Sequence, residues 1–252
     1  MIKAIVFDLD GTLVQTEILK AMSYAKAAVN LNPKLTETAV INGFKEVVGK
    51  PRKVVAQALL KKFKLEKAAR KKMPQFEVAT PWQAFVQIRL EIYHAMIEDP
   101  KTLLKYRCPY NMGLLKWARK NRFKTGLATM SHCPQANRVL KILEIEPLFD
   151  FIATKDDVEA GKPDPEIYSL VAAELKVKRR QCLVIEDSVS GIKAAVAAGM
   201  GCISVTTDFT RKSVYESGLL PKKWIVDDPK YLRKTVKEYL KKVTQKELVA
   251  HD

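Results

Sequence analysis

Residues 2–13, Ile2-Lys3-Ala4-Ile5-Val6-Phe7-Asp8-Leu9-Asp10-Gly11-Thr12-Leu13, decide the fold. Residues 4–7 are apolar without alternation, which predicts a strand buried on both faces. Asp8 falls at its carboxyl end, Asp10 follows two positions later, and Gly11 turns the chain away. In open α/β sheets the ligand crevice lies at the carboxyl ends of the strands. Two carboxylates there are costly unless a cation or a reaction uses them. Taken alone, the stretch leaves open an ordinary Asp-Gly turn in solvent.

Three later segments narrow the choice. Residues 124–129 (KTGLAT) predict a second strand ending in the Thr129 hydroxyl. Residues 161–165 (GKPDP) place Lys162 in a rigid turn ahead of a helix. Residues 182–187 (CLVIED) predict a third buried strand ending in Glu186 and Asp187, followed by Ser188 and Gly191. Beyond residue 109, strands expected at 125–128, 151–153, 183–185, 202–205 and 224–226 alternate with helices at 110–121, 134–143, 165–175, 188–198 and 229–241. Such alternation predicts a parallel sheet covered by helices. Residues 17–99 instead carry only helical periodicity, with helices expected at 17–30, 35–48, 52–63 and 81–97. Thr36 is placed to cap the second of these, and Pro100 interrupts after the last.

No apolar stretch approaches the roughly 20 residues of a membrane span. No secretory signal is visible, and Cys108, Cys133, Cys182 and Cys202 lack metal-site spacing. These features point to a cytoplasmic protein with reduced thiols. The net charge is +16, densest over Lys61, Lys62, Lys64, Lys67, Arg70, Lys71 and Lys72. Aromatic residues for base stacking are sparse there, so a solvated basic face is preferred to nucleic-acid binding.

DLDGTL at Asp8, the Thr129 of ATMS, the Lys162 of GKPDPE and the acids of IEDS stand in the order of the four motifs of the haloacid dehalogenase superfamily. Over nearly its whole length the chain resembles the beta-phosphoglucomutase-like and phosphoglycolate phosphatase-like branch. The resemblance implies a discontinuous Rossmann-like core at 1–14 and 102–252. An all-helical cap, inserted at 15–101, would close over the active site. It implies a phosphatase of small phosphorylated metabolites, such as sugar phosphates, working through an aspartyl-phosphate, as a monomer or weak dimer.

In that scheme Asp8 is the nucleophile and Asp10 the general acid and base. Thr129, Met130, Ser131 and Lys162 receive the transferring phosphoryl group. Asp8, Asp187 and the main-chain carbonyl of Asp10 hold Mg²⁺, with Glu186 supporting from outside. In the cap, Gly49 and Arg52 of the VGKPR loop would touch substrate, with Arg89 and Tyr93 a weaker pair on the cap's inner face. A sugar phosphomutase is the rival enzyme. Against it, Lys20 stands where the family's mutases carry a histidine. The rival of another class is an anion- or nucleic-acid-binding protein with a vestigial site. Gln15 departs from the family's Asp or Asn after DGTL.

Overall fold

The computed structural model describes residues 1–249. In chain order the elements are β1 (Ala4–Phe7), α1 (Thr16–Leu31), α2 (Glu37–Lys45), α3 (Arg52–Lys62), α4 (Glu66–Lys72), α5 (Pro81–Glu98), α6 (Pro100–Lys105) and α7 (Pro109–Lys120). There follow β2 (Lys124–Ala128), α8 (Cys133–Ile142), β3 (Phe151–Ala153), α9 (Glu166–Glu174), β4 (Cys182–Glu186) and α10 (Val189–Ala197). The last are β5 (Gly201–Val205), α11 (Arg211–Ser217), β6 (Ile225–Val226) and α12 (Leu232–Val249). The chain forms two compact units: Met1–Gln15 with the chain from Leu104 onward, and Thr16–Leu103.

The first unit is a Rossmann-like α/β fold. Its six parallel strands lie in the order β3-β2-β1-β4-β5-β6. β1 is central, with Phe7 opposite Leu127 on one side and Ile185 on the other. Both faces of β1 and β4 are buried, which is why their sequences are apolar runs rather than alternating patterns. Ala4, Val6 and Val184 pack with Ile167, Tyr168 and Val171 of α9 and Ile192 and Ala195 of α10 in one core. The chain reverses its strand order between β1 and β4, so this register brings the ends of β1, β2 and β4 together at a switch point.

The second unit is helical. Thr36 caps α2 by accepting the Ala39 N–H at 3.3 Å. Tyr24 of α1 packs on Phe44 of α2 and Phe85 of α5, with ring centroids 5.6 Å apart in each case.

Two helices, α6 and α11, differ from the sequence expectation, and α4 falls where a solvated helix and loop is expected. Pro100 opens α6 instead of only interrupting, because a proline at the first helical position lacks only an N–H that has no helical partner anyway. The lysine-rich stretch holds a full helix, α4, of which only Ala69 is buried. α11 carries no apolar period, with Val214 its single buried residue. The four cysteines are free thiols, Cys182 and Cys202 being buried on β4 and β5. No described helix is long and apolar enough to cross a membrane.

Candidate active site

The ends of three strands build the site. β1 delivers Asp8, whose N–H extends the ladder by donating to the Ile185 carbonyl at 3.0 Å. β2 delivers Thr129, whose N–H donates to the Ala153 carbonyl at 3.0 Å. β4 ends on Glu186, with Asp187 next. Asp8, Thr129, Glu186 and Asp187 are all at least 95 % buried, so their polar groups must be satisfied inside the protein or by a ligand.

Lys162 organises the interior of this cluster. Its Nζ donates to Asp8 Oδ1 at 2.7 Å, Glu186 Oε1 at 2.7 Å and the Ala128 carbonyl at 2.9 Å. An ammonium has three protons, and all three are engaged. Glu186 is equally saturated. Its Oε1 also accepts the Tyr168 hydroxyl at 3.0 Å, while Oε2 accepts the Asp187 and Ser188 N–H groups and the Ser188 hydroxyl.

Asp10 stands apart from this group. Its Oδ2 accepts the Ser131 hydroxyl at 2.7 Å and the Thr129 hydroxyl at 3.0 Å. The Thr129 oxygen in turn accepts the Ser131 N–H at 3.1 Å, fixing the loop that follows β2.

Two glycines allow the close approaches. Gly11 has φ +86°, and a Cβ there would fall on the Asp187 carboxylate. Gly191 is in ordinary helical backbone, but its Cβ would overlap the Glu186 carboxylate.

The electrostatics separate the acids. Burial is the largest influence on Asp8 and raises its pKa to about 8, against the pull of Lys162; Glu186 and Asp10 add to the rise. Burial also opposes charge on Glu186, but Lys162, the Ser188 N–H and Tyr168 outweigh it and hold that carboxyl below its usual range. Lys162 loses solvation on burial, yet Asp8 and Glu186 hold its proton more tightly than in free lysine. Lys162 therefore stays an ammonium and Glu186 a carboxylate, while Asp8 is the acid whose charged form burial opposes, and a cation beside it would favour the carboxylate.

Asp8, Glu186 and Asp187 offer carboxylate oxygens within 4.8 Å of one another. One ammonium faces these three buried acids, so the donor set fits a hard divalent cation. Glu186 has both oxygens already occupied, which leaves Asp8 and Asp187 better suited to direct ligation.

Of the residues singled out from sequence, Asp8, Asp10, Thr129, Ser131, Lys162, Glu186 and Asp187 converge here. The Met130 thioether packs toward Gly161 and the core, so its main chain is the part suited to a phosphoryl group. His132 lies outside the cluster, exposed and 2.7 Å from Asp156. Gly49 and Arg52 belong to the helical unit. Gly49 has φ +82° and open space around it, and Arg52 is an exposed residue at the start of α3. Tyr168 was missed by sequence reasoning. Its phenol, wholly buried on an apolar helix face, was the available signal, since a buried tyrosine hydroxyl needs a partner.

This constellation of strand-end carboxylates, hydroxyls and one ammonium suits phosphoryl-transfer chemistry. The family model for haloacid dehalogenase-like hydrolases matches residues 2–199, and the chain belongs to that family. A phosphorylated carbohydrates phosphatase of Thermotoga maritima is 29 % identical over 202 residues, covering 79 % of this chain and 82 % of that one. A phosphoglycolate phosphatase of Salmonella typhimurium is 30 % identical over 213 residues, covering 81 % of each. These relatives place the chain among the phosphoric monoester hydrolases. The crystal structure of a beta-phosphoglucomutase of Clostridium difficile, 24 % identical, superposes with a TM-score of 0.62 over 95 % of this chain and 99 % of its own, a likeness of fold.

Proposed function

We propose that this protein is a Mg²⁺-dependent phosphatase of a small phosphorylated metabolite, of the sugar-phosphate kind, acting through an aspartyl-phosphate on Asp8. The observation that carries this reading is the shared Lys162 between Asp8 and Glu186, with Asp187 in the same cluster. It fixes one carboxylate for attack and leaves a net negative pocket beside it.

Asp8 attacks phosphorus, and the bond from phosphorus to the leaving alcohol oxygen breaks. Asp10 gives that oxygen its proton. In the second step Asp10 takes a proton from water. The water oxygen bonds to phosphorus, the bond to Asp8 breaks, and inorganic phosphate leaves. Thr129 and Ser131 hold Asp10 and face the loop that would cradle the phosphoryl oxygens. Lys162, with all its protons engaged, acts first by orienting Asp8. Asp8, Asp187 and the main-chain carbonyl of Asp10 would hold Mg²⁺, which supplies charge neutralisation between the nucleophile and the phosphate. Gly49 and Arg52 are the helical unit's substrate contacts in this reading.

Phosphatase is favoured over phosphomutase because Lys20, where mutases of the family carry a histidine, is tied to Glu17 at 2.6 Å. The test is a phosphate-release screen over sugar phosphates, phosphoglycolate, glycerol phosphate and nucleotides, with wild type and Asp8→Asn. Release by wild type and none by Asp8→Asn supports the reading. Near-normal release by Asp8→Asn would exclude Asp8 as nucleophile.

A further inference from the structure

The amino ends of the strands, opposite the acidic cluster, form a second concave surface. All the strands run parallel, so the turns that enter β1, β2 and β4 meet at that end. The Lys124 N–H donates to the Lys3 carbonyl at 3.0 Å and the Lys3 N–H to the Gln181 carbonyl at 2.8 Å, which fixes these turns side by side. Between them and α12 lies a cleft of about 580 Å³, within the size range of small-molecule sites.

The rim of the cleft is basic. Lys3, Arg122, Lys124 and Lys176 line it, and among the described residues no carboxylate does. Lys3, Arg122 and Lys176 are exposed and form no ion pair with a described residue. Lys124 donates to the Leu175 carbonyl at 2.6 Å and keeps two protons. The ends of α7 and α9 favour one cation each, at Arg122 and Lys176. Lys3 and Lys124 belong to strand entries, where no helix dipole accounts for them. Lys178, Arg179 and Arg180 occupy the neighbouring turn before β4 and add to the positive field.

The floor is apolar. Ile2 is buried, while Phe123, Val177 and Leu240 are half-buried. Arg122 and Lys176 have left-handed backbone, with φ 61° and 53°, and each turn brings a cation and then an apolar residue to the same cleft. Two polar side chains in the lining have spent their donors. Asn121 Nδ2 donates to the Trp117 carbonyl at 2.7 Å and the Thr244 hydroxyl to the Leu240 carbonyl at 3.1 Å. Their oxygens remain as acceptors for an N–H group.

We propose that this cleft is a second ligand site, taking a nucleoside polyphosphate. The phosphates meet four cations without a competing acid, the base covers the apolar floor, and its amino group has the Asn121 and Thr244 oxygens to donate to. The site does not rest on the phosphatase reading.

The test titrates the full chain with ADP by calorimetry, in EDTA so that no metal-dependent turnover consumes the probe. Wild type should bind ADP here, and the double variant Arg122→Gln with Lys176→Gln should bind it about tenfold or more weakly, as for loss of charge-assisted hydrogen bonds. Both side chains are exposed, so the thermal midpoints should match. Lys3→Gln, on a different turn, should weaken ADP in the same direction and carries the comparison if the double variant does not fold. Asp8→Asn, at the other ends of the strands, should keep the wild-type affinity for ADP.

Adenosine and inorganic pyrophosphate divide the ligand into its halves. Each should bind at least about tenfold more weakly than ADP, since one leaves the cations unmatched and the other leaves the apolar floor wet. Pyrophosphate binding as tight as that of ADP would reduce the cleft to a basic surface and overturn the proposal. Equal ADP affinity in wild type, the double variant and Lys3→Gln would overturn it too. So would a single-stranded RNA oligomer that binds and that excess ADP does not displace, because this end would then be a nucleic-acid surface.

Discussion

The Lys162 ammonium lies 2.7 Å from Asp8 Oδ1, with the lysine side chain 4 % and the aspartate side chain 8 % exposed. Across so short and dry a distance each group depends on the other, because burying either charge alone would be strongly unfavourable. The same ammonium reaches Glu186 at 2.7 Å, so one cation serves two acids.

Lys162→Met should therefore do two kinds of damage. It strands Asp8 and Glu186 in a buried site, at a cost of about 3–5 kcal/mol in unfolding free energy. It also raises the proton affinity of Asp8 further, lowering turnover by about 10²-fold or more. Adding Glu186→Gln should restore part of the stability and none of the activity. Urea melts of the single and double variants measure the coupling. Additive losses would mean that Lys162 and Glu186 act independently.

Asp10 and its two hydroxyl partners allow a finer test. Asp10→Asn removes the proton donor and acceptor, so both chemical steps should slow by roughly 10²–10⁴-fold. Ser131→Ala removes only a 2.7 Å hydrogen bond to that carboxylate, while Thr129 still donates at 3.0 Å. Its loss should stay within about tenfold, the value of a single hydrogen bond of this kind. Equal losses in the two variants would show Ser131 acting on the phosphoryl group rather than on Asp10.

A metal test follows from the three buried acids around one ammonium. EDTA should remove activity and Mg²⁺ should restore it, while Ca²⁺, with a larger and looser coordination shell, should inhibit. The thermal midpoint should rise with Mg²⁺ concentration as the ion binds only the folded state. Asp187→Asn should lose most of that rise. Full activity after exhaustive chelation would rule out the cation.

The parts legible in the sequence are those where one residue type has one plausible use. β1 was readable to the residue because four unbroken apolar positions end on a carboxylate. Thr129, Lys162 and the Glu186-Asp187 pair were readable because each follows such a run or sits in a proline-bounded turn. Which acid stays charged was not readable. That depends on Tyr168 and Ser188 both reaching Glu186, contacts between residues two and eighteen positions apart that no spacing rule reveals. α11 was hidden because its sequence, RKSVYES, turns a single apolar residue inward and is otherwise polar. Arg89 was legible only as a weaker candidate beside Tyr93; its packing on Tyr24, 65 positions earlier in the numbering, was not.

The last test concerns the fold beneath the site. Asp150, just before β3, accepts the Thr125 N–H at 2.8 Å through Oδ2 and the Arg119 guanidinium at 2.5 Å through Oδ1, tying α7 to β2. Burial alone would raise its pKa, but these hydrogen bonds and the Arg119 charge outweigh it and hold the carboxyl below its usual value. A carboxylate with a depressed folded-state pKa contributes stability above its unfolded value, near 3.9, and that contribution is lost as pH falls through the folded value. Asp150→Asn, which keeps one acceptor and loses the charge, should cost about 1 kcal/mol at pH 7, the size of one partly exposed charge-assisted hydrogen bond. Below the folded pKa both proteins are neutral at this position, so their melting temperatures should converge on acidification. Urea or thermal melts at pH 7 and in steps toward pH 3 measure the gap. A gap that stays constant over that range would mean that shape, not the charge of Asp150, joins these elements.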